Sequence, residues 1–86
     1  MSTVLYFTAQ WCGPCKAMKP IVEEFEKEYL EPSVIRIDAD DEFKLAQEHK
    51  IQAVPTFILL SEEGEELNRW KGPMNKEKFK KFALGE

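Results

Sequence analysis

No stretch of this sequence approaches the roughly 20 consecutive apolar residues of a membrane-spanning helix. The opening MSTVLYFTAQ likewise lacks the basic region and long apolar run of a secretory signal. These absences lead us to expect a soluble, cytoplasmic chain with no membrane partner. Positive charge is in short supply too: 12 Lys and Arg stand against 16 Asp and Glu, a net charge of −4. Phosphate binding depends on clustered cations, so no nucleic-acid partner is expected. The lysines of NKEKFKK come nearest to a cluster, but they recur among glutamates at helical spacing and read as a solvated helix face. Histidine occurs once, as His49, and cysteine twice. A zinc site of about four ligands cannot be assembled from these, and His49 is expected as an exposed residue near a helix C-terminus. No repeat, linker or Pro-, Gly- or Ser-rich tract divides the chain, and 86 residues leave room for one domain, residues 1–86.

What is present suits a packed core: 43% of the residues are hydrophobic, with 6 Phe, 2 Tyr and 2 Trp among them. TVLYFT is an uncharged β-branched and aromatic run, the pattern of a central strand buried on both faces. Across residues 12–30, Met18, Ile21, Val22, Phe25 and Tyr29 fall on one face of a long helix that EPS ends. VIRID predicts a second strand, and DDEFKLAQEHK a short helix with acids in its first turn. PTFILL and EELNRWK flank SEEG as a hairpin. A last helix follows, with Asn75 as its cap and Phe79, Phe82 and Ala83 as its buried stripe. The strand–helix–strand start demands a parallel crossover, with the first two strands side by side.

Both cysteines lie in AQWCGPCKAMKP, where the buried strand gives way to the helix. Cys12 thus falls at or near a helix N-terminus. Unpaired N–H groups and the positive dipole end favour an anion there, so its thiol ionises more readily than a free one. Residues three apart in a helix have Cβ atoms about 5–6 Å apart, whereas a disulfide wants about 3.5–4.5 Å, so a slightly tightened first turn suffices to join Cys12 and Cys15. Gly13 adds no side chain over the sulfurs, and Pro14 fixes φ in that turn without needing an N–H partner. Dithiol and disulfide should both be accessible. A purely structural bridge over so short a loop would constrain little of the unfolded chain, which favours a reaction centre over a staple.

WCGPCK after a buried strand, with AVPTFILL about forty residues later, resembles the thioredoxin family over essentially the whole chain. The resemblance implies an α/β, thioredoxin-like fold: a central four-stranded mixed sheet in the order 2-1-3-4, flanked by three helices. It implies a protein-disulfide reductase with Cys12 as the attacking thiolate and Cys15 as the resolving thiol, the two forming a redox disulfide. No cofactor beyond that pair is implied, and no metal. Trp11 would shape the surface beside Cys12, Lys16 would add positive potential there, and Gly13 and Pro14 would complete the turn. Trp11, Val54, Pro55 and Gly72 would bind substrate. Pro55 matches the family's cis-proline, the backbone of Val54 would pair with an extended substrate segment, and Gly72 would permit close backbone approach. Pro20 would bend the active-site helix by removing the hydrogen bond to the Lys16 carbonyl. Implied partners are an NADPH-dependent flavoprotein thioredoxin reductase and disulfide-containing proteins such as ribonucleotide reductase, the chain itself being a monomer.

Two features depart from the family pattern. The sequence starts almost directly at the central strand, without the strand and helix that most members carry before it, which brings it to a glutaredoxin-like size. Many members also place a buried aspartate six residues before the first cysteine; here that residue is Tyr6, and no acid occurs in residues 3–9. A tyrosine is a poor base at neutral pH, so Tyr6 reads as core packing. Cys15 is then deprotonated through water or by the departing Cys12 system. Two other functions use the same residues. A glutaredoxin-like redoxin recycled by glutathione fits the size but not CGPC after Trp11, nor WKGPMNKE, which lacks a double glycine. A redox-independent binding subunit would use the surface around Trp11, Val54 and Gly72 without the sulfurs.

Overall fold

The uncharged strand β1 (Thr3–Thr8) lies inside the sheet, with neighbours on both sides, in a computed structural model that describes residues 2–86. After it come α1 (Gly13–Glu28), β2 (Ser33–Asp38), α2 (Phe43–Glu48), β3 (Thr56–Leu60), β4 (Glu66–Lys71) and α3 (Lys76–Ala83). The sheet order is β2-β1-β3-β4, with β2 parallel to β1 and the other two pairs antiparallel. This is the mixed thioredoxin-like sheet with three helices that the resemblance implied.

Alternation along β1 divides the core. Val4 and Tyr6 point to the face covered by α1 and α3, where they meet Met18, Val22, Phe57 and Phe79. Leu5 and Phe7 point to the other face, against Ile37, Ala46 of α2 and Ile58. Burial on both faces is why β1 has no polar side alternating with an apolar one. On the α1 side the aromatic rings interlock: Tyr6 stacks on Phe57 at 4.8 Å, and Phe79 meets Phe25 and Phe57 edge-on at 5.3 and 5.5 Å.

The strands start within a residue of the sequence reading, and the larger differences lie in the helices. The long helix begins one residue later than expected, because Cys12 is its extended N-cap, and it stops at Glu28 with Tyr29 as C-cap ahead of Pro32. The acids expected in the first turn of α2 precede it: Asp38 Oδ1 accepts from the N–H groups of Asp40 and Asp41, holding residues 38–41 in a turn. His49, expected to be exposed, is half-buried as the C-cap of α2, with its ring 5.6 Å from that of Phe7. Leu45 and Ala46 of the short helix pack on that sheet face, and His49 follows them onto it.

Candidate active site

At the C-terminal end of β1 the chain turns through residues 9–11 and enters α1, where the N–H of Cys12 donates to the Ala9 carbonyl at 3.2 Å. The sulfur of Cys12 caps the helix, accepting from the Cys15 N–H at 3.1 Å, and Pro14 occupies the first turn. A backbone N–H aimed at this sulfur is the feature that stabilises a thiolate after reduction. Cys12 and Cys15 are joined in a disulfide with their Cα atoms 5.2 Å apart. Each is only 3% exposed, and Val54 packs against the small cluster that they form with Ala9.

Val54 and Pro55 form the facing wall. The Val54–Pro55 peptide is cis, and the Val54 carbonyl oxygen lies 3.7 Å from Cys12 Sγ. Among the described residues neither the N–H nor the C=O of Val54 has a main-chain partner, which leaves both groups open just before β3 and beside the sulfur. Gly72 is tied to this wall: its N–H donates to the Pro55 carbonyl at 2.8 Å. Its φ of +101° explains the glycine. Crowding does not, because a Cβ built there would meet no atom within 4 Å.

Trp11 is 71% exposed and held in place by its Nε1–H, which donates to Asp40 Oδ2 at 2.8 Å. Asp40 was not singled out from the sequence. Parallel strands bring their C-terminal ends to one edge of the sheet, so residues following β1 and β2 meet there, and the acidic run 38–41 was the available signal. Beside this pair a cleft of about 270 Å³ is lined by Trp11, Phe43, Ile51 and Val54. Phe43, half exposed, is a second residue the sequence reading missed.

Behind Cys15 lies a cavity of about 350 Å³ lined by Tyr6, Thr8, Lys16, Lys19 and Arg36. Lys16 is thus exposed on the Cys15 side. Tyr6 is more than core packing: it is buried and stacked on Phe57, and its hydroxyl donates to the Cys15 carbonyl at 3.0 Å. Burial raises its pKa above the ordinary value near 10, against smaller lowering effects of Thr8 and Arg36. Among the described residues no group of three or more His, Cys, Asp or Glu is placed to hold a metal.

The arrangement is shared with known proteins. A sequence model of the thioredoxin family, described as "Thioredoxin", matches residues 1–84. A thioredoxin H-type from Fagopyrum esculentum is 38% identical over 81 residues, 94% of this chain and 69% of that protein. Thioredoxin H7 of Arabidopsis thaliana is 40% identical over 79 residues, 92% of this chain and 60% of its own length, so the chain spans only part of such relatives. The crystal structure of thioredoxin NaTrxh from Nicotiana alata superposes with a TM-score of 0.90 at 38% identity, covering 98% of this chain and 71% of that one. The chain therefore belongs to the thioredoxin family.

Proposed function

We propose that this chain is a thioredoxin-type dithiol–disulfide oxidoreductase that reduces protein disulfides in the cytoplasm. The observation that carries this is the Cys12–Cys15 pair at the start of α1, facing the unpaired backbone of Val54. In the dithiol form, Cys12 as thiolate attacks one sulfur of the substrate disulfide. The substrate's S–S bond breaks, a mixed disulfide with Cys12 forms, and the first substrate thiol leaves. Cys15 then attacks Cys12 Sγ, expelling the second substrate thiol and re-forming the intramolecular bridge. An extended substrate segment pairs with the open N–H and C=O of Val54, while Trp11 and the apolar cleft beside it accept the side chains flanking the scissile sulfur. The bridge is returned to the dithiol by an NADPH-dependent flavoprotein reductase, and ribonucleotide reductase is one disulfide substrate of the expected kind.

Cysteine substitutions test the order of attack. Cys12→Ser should abolish reduction of a protein disulfide, and Cys15→Ser should accumulate a substrate-linked species visible by mass spectrometry and released by a small thiol. Loss of trapping in Cys15→Ser, or full activity in Cys12→Ser, would overturn the assignment.

A further inference from the structure

The cavity behind Cys15 lies apart from the cleft at Val54, and none of its lining residues is acidic. Its walls come from Tyr6 and Thr8 of β1, from Cys15, Lys16 and Lys19 of α1, and from Arg36 of β2. The acids on the elements packed there have partners other than Lys16 and Lys19. Glu26 accepts from both guanidinium nitrogens of Arg36, at 2.7 and 3.1 Å, which offsets that charge, and Glu23 acts on the same Arg36. Asp38, beside Thr8 in the strand register, accepts from the Asp40 and Asp41 N–H groups. Lys16 and Lys19 are the cations left over. Tyr6 offers no base, since its proton is committed to the Cys15 carbonyl.

We propose that the Cys15 thiol is ionised by the positive field of Lys16 and Lys19 across this cavity, its proton leaving directly to solvent. Tyr6 and Thr8 hold the wall, and the two lysines are positioning residues for the second half of the reaction. The proposal rests on the dithiol reading above. In the step itself the Cys15 S–H bond breaks and water takes the proton. The sulfur's electron pair attacks Cys12 Sγ of the mixed disulfide. The Cys12–Cys15 bond forms as the bond to substrate breaks, and the substrate leaves as a thiolate that solvent protonates. A cation facing a thiolate favours the charged form, so the lysines lower the pH at which Cys15 becomes competent.

The test is a single turnover of the reduced protein with dithio-bis-nitrobenzoate, which releases one coloured thiolate when Cys12 attacks and a second when Cys15 resolves the adduct. The second phase is intramolecular, so salt acts on it chiefly by screening charges around the sulfur. Lys19→Glu should move the midpoint of that phase to higher pH and slow it roughly two- to fivefold below the midpoint, the size expected of a charge reversal across a partly solvated cavity. Added salt should slow the unsubstituted protein in the same direction. Lys81→Glu, outside the cavity, should shift the midpoint much less, and Tyr6→Phe should leave it in place. A second phase indifferent to both Lys19→Glu and salt would overturn the proposal. So would a Tyr6→Phe shift as large as that of Lys19→Glu, which would make the hydroxyl the proton carrier. Absence of the first phase would sink the dithiol reading and this inference with it.

Discussion

Tyr6 shows how one side chain can serve two neighbourhoods. Its ring completes the aromatic cluster of the α1 face, and its hydroxyl reaches the main chain of the helix that carries both sulfurs. Burial disfavours the phenolate, so the folded state holds Tyr6 neutral above the pH at which the unfolded chain releases that proton. The sign follows: with the folded pKa raised, this contribution to stability is fully present below about pH 10 and is lost as pH rises toward the folded value. Denaturant unfolding between neutral and strongly alkaline pH should therefore show a steeper alkaline loss in the native sequence than in Tyr6→Phe. At neutral pH the same substitution should cost about 1 kcal/mol for the hydrogen bond to Cys15. An equally steep alkaline loss in both proteins would refute the assignment. The ring was legible in the sequence as part of an apolar strand. The partner of the hydroxyl was not, because it lies on another element and is a backbone atom that no sequence pattern marks.

Among the helices, α1 and α3 showed their buried stripes in the sequence, whereas α2 showed its place in DDEFKLAQEHK but not its ends. The stripe of Met18, Val22 and Phe25 recurs at helical spacing and is buried as read. Asn75 caps α3 as expected, its side chain accepting from the Lys78 N–H at 2.8 Å. Asn75→Ala should lower stability by about 1 kcal/mol, measured by chemical denaturation, and Asn75→Gly by only a few tenths. Helix α2 keeps six residues, and its end carries no glycine signal. Lys50 takes the left-handed conformation there, with φ of 57°, while the Ile51 N–H closes back onto the Ala46 carbonyl at 2.9 Å. A lysine in that conformation costs about 1–2 kcal/mol. Ile51, which follows it, packs partly buried against the Phe7 side of the sheet. Tertiary packing, which local propensity does not contain, thus set this boundary.

At the scale of the molecule, Phe79 ties the parts together. It is fully buried and touches Phe25 of α1 and Phe57 of β3 from its place on α3. Phe79→Ala should cost about 3–5 kcal/mol by cavity formation. A chain of this length has roughly 4–13 kcal/mol in total. The variant should therefore melt far below the native protein, and a loss under about 1 kcal/mol in thermal or chemical unfolding would show that the aromatic cluster is not the keystone. By itself the sequence determined the element order, the interior strand β1, the apolar stripes of α1 and α3, and the position of Cys12 at a helix start. Each depends on periodicity or on neighbours within a few residues, and so is written along the chain. Only the tertiary structure decided that Asp40 would hold Trp11, that the Val54 carbonyl would face Cys12, and that Lys16, Lys19 and the Glu26-paired Arg36 would line one cavity behind Cys15. Those are relations across parallel strand ends and between separate elements, and their geometry exists only once the sheet has brought distant residues to one edge.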